Sequence, residues 1–142
     1  MLRNWVFVAG LVGTTLLGAL PATAGEVAGL TIKSGETWLF RIENGQPAGA
    51  HKVLDKTPPA KGEIKVEVSA SMGTMMTVTN NTDHLYNYRA FMLGKPDAKG
   101  QRTSVCTLMS GGGSSFENWP ETIPFWRVSD FVEAADGAMV CS

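Results

Sequence analysis

Hydrophobic and polar residues alternate along much of the chain after residue 29, which is the pattern of half-buried β-strands. In the stretch 36–45 the apolar residues Trp38, Phe40 and Ile42 fall at every second position, and in the stretch 62–70 Ile64, Val66 and Val68 do the same. Most of the residues between them are charged or polar, so each stretch predicts a strand with one face toward the core. Asn44 and Gly45 follow the first strand as a turn signal.

The methionine-rich stretch 69–93 predicts two further strands joined by a turn. Alternation that starts at Met72 places Met72, Thr74, Met76 and Val78 on one face and Met75 on the other. The sequence Asn-Asn-Thr-Asp at 80–83 is a cluster of turn formers. The strand after it is apolar on parts of both faces, which indicates a central position. We therefore expect residues 69–93 to form the central hairpin of a β-sheet protein.

The remaining strands are predicted near residues 30–32, 51–54, 102–109 and 125–131. Pro120 and Pro124 exclude a central strand between the last two, so that segment is expected at a sheet edge. No convincing amphipathic helix interrupts this order. About seven to nine short strands at regular spacing predict an all-β fold, a single antiparallel β-sandwich.

The N-terminal segment has the character of a secretory signal peptide. Arg3 is its only charge, an uncharged apolar run follows, and Ala22 and Ala24 provide a cleavage pattern after Pro21. We expect residues 1–24 to be removed and residues 25–142 to form the β-sandwich domain in the periplasm or outside the cell. The apolar run is short for a membrane span, and no transmembrane segment is expected after cleavage.

The balance of basic and acidic residues limits the classes of partner that the protein can bind. The whole chain has 12 basic and 13 acidic residues, and Arg3 falls in the predicted signal peptide. This nearly neutral composition, without a basic run, argues against nucleic acid or an anionic membrane as the main partner.

Cys106 and Cys141 are the only two cysteines. Export would place them in an oxidising compartment, so we expect a disulfide that ties the C-terminus to the strand carrying Cys106. The alternative, a redox-active or metal-binding pair, is weaker because the cysteines are far apart in sequence.

The sequence contains no strong catalytic motif. The glycine run 111–113 lacks the pattern of a nucleophile elbow or of a phosphate-binding loop, and the chain has only two histidines. Acidic residues near tryptophan, such as Glu117 and Glu121 beside Trp119, suggest a sugar-cleaving pair only superficially. We expect a protein that is not an enzyme and uses no cofactor.

A soft-metal site is the main alternative chemistry. Met72, Met75, Met76, Met109 and His84 could supply thioether and imidazole ligands. The late Cys-to-Met loop of a blue-copper domain would also need a histidine, which the sequence after Cys106 lacks. We therefore assign no metal site and retain Met75 and His84 as the candidates to test.

Aromatic residues cluster around the two prolines of the sequence ENWPETIPFW. Trp119, Phe125 and Trp126 are candidate partner-binding residues, since aromatic side chains often anchor interfaces. The alternative is that at least one tryptophan closes the end of the sandwich core.

The stretches MTVTNNTDHLYNYRAFM, CTLMSGGGSSFENWP and WRVSDF resemble a group of small exported bacterial proteins of uncharacterised function. A shorter part, the Val-x-Asn-Asn-Thr turn, is similar to immunoglobulin-like periplasmic domains. The resemblance implies an immunoglobulin-like sandwich and no particular activity. We expect a non-enzymatic binding or envelope-associated accessory protein whose partner is a protein or envelope component. The alternatives are a periplasmic copper-binding protein and an inhibitor of an exogenous hydrolase.

Overall fold

Nine β-strands in two antiparallel sheets make up the fold, in a computed structural model that describes residues 27–135 and 138–142. The strands are β1 Leu30–Lys33, β2 Thr37–Glu43, β3 Gln46–Val53, β4 Glu63–Ser69, β5 Thr74–Asn81, β6 Tyr86–Leu93, β7 Gln101–Thr103, β8 Gly113–Trp119 and β9 Phe125–Glu133. The predicted signal peptide, residues 1–24, lies outside these residues. Within the described ranges, no helix has the length and apolar character needed to cross a bilayer.

The two sheets have the strand orders β1-β9-β6-β7 and β3-β2-β4-β5-β8. The prediction of an immunoglobulin-like all-β sandwich of seven to nine strands with one disulfide is confirmed in its packed sheets, strand number and disulfide. The expected edge position of the segment before Pro120 is also confirmed, because β8 ends the five-stranded sheet. The strand after the Asn-Asn-Thr-Asp turn, β6, lies between β9 and β7, as its two apolar faces indicated.

The prediction that residues 69–93 form a hairpin is wrong. β5 pairs with β4 and β8, whereas β6 pairs with β9 and β7 in the other sheet. The buried Asn80 side chain shapes the corner: its Oδ1 accepts the Thr82 N–H at 3.1 Å, and its Nδ2 donates to the His84 carbonyl at 2.7 Å. These local bonds replace ladder bonds, so the chain crosses from one sheet to the other.

The predicted start of β5 at Met72 is also wrong. Met72 has a φ of 54° and is 97% exposed, and the strand begins at Thr74. Gly73 has a φ of 101°, and a Cβ there would clash with the carbonyl oxygen of Trp119. The chain therefore turns at these two residues before it joins the sheet. The inward positions of Met76 and Val78 are confirmed, since both are fully buried.

The predicted strand 102–109 is only partly formed. β7 ends at Thr103, and Leu108 makes an isolated bridge to Tyr86. Between them, Val105 exchanges backbone hydrogen bonds with Ser142, and Cys106 is bonded to Cys141. The C-terminal segment thus lies beside the chain that follows β7, as the predicted disulfide required.

An aromatic cluster fills one end of the core. The register between β6 and β9 shifts between Asn87 and Arg89, and Asp130 on β9 has a φ of 53°. This bulge turns Phe131 inward, where its ring stacks on Tyr88 with centroids 5.3 Å apart. The Phe131 N–H is donated to the carbonyl of Gly45 in the β2–β3 turn, which links the two sheets.

Candidate binding groove

A groove of about 330 Å³ lies at the end of the sandwich where β6 and β7 meet the segment before β9. Its volume is at the lower end of the range for small-molecule sites. The lining residues are Met92, Leu93, Gly94, Gln101, Glu121, Thr122, Ile123 and Pro124. We call this feature the end groove.

One wall of the end groove is fixed by hydrogen bonds although it is irregular in structure. The buried Thr74 hydroxyl donates to the Glu121 carbonyl and accepts the Ile123 N–H, both at 2.9 Å. On the other side, the Ser34 N–H is donated to the Pro124 carbonyl at 2.9 Å. Because these bonds come from β5 and from the turn between β1 and β2, the wall is held in place before any ligand arrives.

The lining of the end groove combines an apolar base with a polar rim. Ile123 and Leu93 are buried, and Met92 packs against the core. Gln101, Glu121 and Thr122 are exposed and offer an amide, a carboxylate and a hydroxyl. Glu121 is the only ionisable side chain among the lining residues, so the groove offers one fixed negative charge beside apolar surface.

The three candidate partner-binding residues have different environments. Trp126 is fully buried, and its ring centroid lies 4.2 Å from that of Trp119. The Trp119 indole N–H is donated to the Thr103 hydroxyl at 2.9 Å, and this side chain and Phe125 are half-buried. Met92 of the groove is the register partner of Trp126. The tryptophan pair therefore closes the core next to the groove. Because Trp126 has no exposed surface, it cannot contact a partner directly.

The segment containing the candidate aromatics does reach a concave surface, but through residues that sequence reasoning passed over. Glu121, Thr122, Ile123 and Pro124 line the groove, while the tryptophans on either side pack inward. The available signal was the loss of alternation between two prolines, which indicates irregular backbone near a sheet end.

Met75 and His84 do not converge. Met75 is near the start of β5 and His84 follows its end, so a strand rise of about 3.3 Å per residue separates them by roughly 20 Å or more. His84 Nδ1 instead lies 3.5 Å from the Glu133 carboxylate. Within residues 27–135 and 138–142, no group of three His, Cys, Asp or Glu side chains is placed to hold a metal ion. Met76 is in the core and Cys106 is in the disulfide, so neither is available as a surface ligand.

The acidic residues near the tryptophans have separate roles. The Glu117 carboxylate points inward from β8 and accepts the Cys106 N–H at 2.9 Å, whereas Glu121 lines the groove. Burial, and secondly the negative charge of Glu117, raise the pKa of the Tyr88 hydroxyl far above its usual value. Tyr88 is therefore neutral at all ordinary pH values, and it acts as a core side chain rather than a proton donor or acceptor.

Comparison of the chain with protein-family models, curated proteins and solved structures gave no match.

Proposed function

We propose that this protein is a non-enzymatic binding or accessory protein of the bacterial envelope, and that the end groove holds its partner. The observation that carries the proposal is the fixed segment 121–124, which is bonded to Thr74 on β5 and to Ser34 in the turn between β1 and β2. A groove that is formed before binding avoids the entropy cost of ordering a loop around the ligand. The disulfide and the signal-like N-terminus support an exported location.

The chemistry of the groove favours binding over catalysis. One carboxylate, one amide and one hydroxyl can recognise a ligand, whereas acid–base hydrolysis of a sugar needs a second carboxyl group at a defined distance. The buried base formed by Ile123 and Leu93 suits an apolar side chain. Glu121 at the rim suits a neighbouring amine or other hydrogen-bond donor. A short peptide segment of an envelope protein that presents both features is the partner class we propose.

Site-specific photo-crosslinking in cells that make the protein naturally tests this proposal. A photoreactive amino acid at exposed Thr122 should yield one crosslinked species of discrete mass, identified by mass spectrometry. The matched control carries the same group at exposed Lys56, in the loop after β3, and should not yield that species. Adding Gln101→Trp, which fills the groove, should reduce the Thr122 product at least about tenfold, a loss of about 1.4 kcal/mol in binding.

Equal labelling from positions 122 and 56, or a product that persists with Gln101→Trp, would show that the groove does not select the partner. Circular dichroism of each variant separates loss of binding from loss of fold.

A further inference from the structure

The sandwich has four sheet edges, and three of them carry features that protect a strand from pairing with another chain. β1 is only four residues long, and β7 has three residues and is followed by the disulfide-linked C-terminal segment. β3 contains Pro47 and Lys52, and its register with β2 shifts between Leu39 and Arg41. These are the short strands, prolines, lysines and bulges by which natural proteins avoid edge association.

The fourth edge, β8, has none of these four features, and its one charged side chain, Glu117, points inward and already accepts the Cys106 N–H. It is seven residues long, contains neither proline nor lysine, and pairs with β5 without a register shift. Its other side has no strand partner among the described residues. Phe116, at its centre, is 69% exposed. A regularly paired edge strand with a large exposed apolar side chain at its middle is a template for strand addition.

The outer surface next to this edge is also uncharged. Phe116 faces Thr77 across the β5–β8 ladder, and the neighbouring outward pairs are Met75 with Asn118 and Thr79 with Ser114. Met75 is 41% exposed. We call these six residues the β8 patch. The middle of the same sheet face is covered by the loop 54–62, whose Asp55 carbonyl accepts a hydrogen bond from buried Lys65. Farther along, His51 on β3 is exposed but polar. Among the described strands of this sheet, the exposed large apolar side chains are Met75 and Phe116.

We propose that β8 is a homodimer interface, in which the β8 strands of two copies of this chain pair antiparallel around a two-fold axis at Phe116. In this register Phe116 faces Phe116 of the second copy, Ser114 faces Asn118, and Ser115 faces Glu117. The strand is self-complementary, because its single charge never meets a like charge. The two five-stranded sheets would join into one continuous sheet, and the two-fold axis would close the assembly.

The two-fold register favours the second copy over an unrelated strand, because it places ring against ring and Glu117 opposite an uncharged serine. The two outward neighbours of Phe116 are small or amide side chains that fit beside its ring, and cross-strand aromatic pairs are favourable. The Glu117 carboxylate already accepts the Cys106 N–H, so it stays bonded when the second strand arrives. The contact is one strand wide, so we expect a reversible dimer with a dissociation constant on the order of micromolar.

Sedimentation equilibrium of the protein purified from cells that express the full chain tests the proposal, over about 1 µM to about 1 mM. The expected result is a reversible monomer–dimer equilibrium. Phe116→Lys should weaken it at least about tenfold, since it places two cations opposite each other. The matched control is Val132→Lys, another exposed apolar residue on a strand, which should leave it unchanged. A monomer at every concentration, open-ended oligomers, or loss of the dimer in the control would overturn the proposal.

Disulfide trapping tests the register directly, because both native cysteines are already bonded. Ser114→Cys and Asn118→Cys proteins are mixed under mild oxidation. The proposed pairing predicts that the mixed 114–118 dimer forms at least about tenfold faster than either like pair. Equal rates for the three products would contradict it.

Discussion

The pKa of the Glu36 carboxyl is set by its burial and by three neighbouring residues. Its carboxylate lies 2.7 Å from the Lys52 ammonium, and it accepts the Trp38 indole N–H at 2.9 Å and the Lys33 N–H at 3.1 Å. Burial, the largest single influence, would raise the pKa of this carboxyl. The hydrogen bonds from Lys52, Trp38 and Lys33 together outweigh burial and lower the pKa below its ordinary value of 4.5.

Because the pKa of Glu36 is lower in the folded than in the unfolded protein, its contribution to stability is complete above pH 4.5 and is lost as the pH falls through the folded-state pKa. We predict that the free energy of unfolding is higher for wild type than for Glu36→Gln at about pH 6, and that this difference shrinks toward about pH 3. Urea denaturation at a series of pH values measures it.

A second test of the ion pair replaces one lysine at a time, with Lys56 as the matched control for Lys52. Lys52→Met should raise the pKa of Glu36, measured by NMR titration, because burial then acts with fewer compensating bonds. Lys56→Met, in the exposed loop after β3, should leave it unchanged. An unchanged Glu36 pKa in Lys52→Met would show that the ion pair does not control the ionisation.

At the scale of strands, alternation correctly predicted which face of a strand points inward, because that depends on local sequence. It did not predict which sheet a strand joins, because that depends on pairing with distant strands. The inward faces of β2, β4 and most of β5 follow from period-two patterns, and Pro120 correctly placed the preceding strand at an edge. The sheet to which β6 belongs depends on its pairing with β9, about 40 residues later in the chain. The bulge at Asp130 likewise follows from the bond between the Phe131 N–H and the Gly45 carbonyl, which no local pattern encodes.

The loop between β6 and β7 depends on one buried guanidinium. Arg127 on β9 is 3% exposed, and its two terminal nitrogens donate to the carbonyls of Pro96, Ala98 and Lys99 at 2.9 to 3.3 Å. A lysine carries its three N–H donors on a single nitrogen, so it does not reach carbonyls that surround two separate guanidinium nitrogens. We predict that Arg127→Lys increases tryptic cleavage after Lys99 at least about fivefold, about 1 kcal/mol of local opening, and lowers the free energy of unfolding by about 2 kcal/mol.

Arg102→Lys is the control for this loop, since Arg102 is an exposed residue of β7 close to the same segment. Its cleavage rate after Lys99 should match that of wild type. If Arg127→Lys were cleaved no faster than Arg102→Lys, the three carbonyl contacts would not be what restrains the loop.

At the scale of the whole molecule, the end groove could be located only after folding. Its walls come from β6, β7 and the segment before β9, which are adjacent only because β6 lies between β7 and β9. The sequence indicated an irregular aromatic segment but not which side chains turn inward. Trp126 is buried because it faces the core from the centre of a sheet, and that position depends on the two neighbouring strands rather than on its own segment.

The disulfide joins the C-terminus to the sandwich and sets a global stability that can be measured. Cys106 and Cys141 are separated by 35 residues, so the chain-entropy estimate for closing this loop is about 3 to 4 kcal/mol. We predict that Cys106→Ser with Cys141→Ser loses that amount, measured by urea denaturation, and that the amides of Val105 and Thr107 lose protection from hydrogen exchange. Both amides donate to carbonyls of the C-terminal segment, at Ser142 and Val140.

Truncation separates the crosslink from the contacts of the C-terminal segment. Cys106→Ser with residues 139–142 deleted removes both, so it should be less stable than the double serine variant only by what the unlinked segment still contributes, about 1 kcal/mol or less. Two variants of equal stability would mean that the segment binds only because the disulfide holds it. A double serine variant as stable as wild type would show instead that the strand pairing alone secures the C-terminus, and that the loop-closure account of this disulfide is wrong.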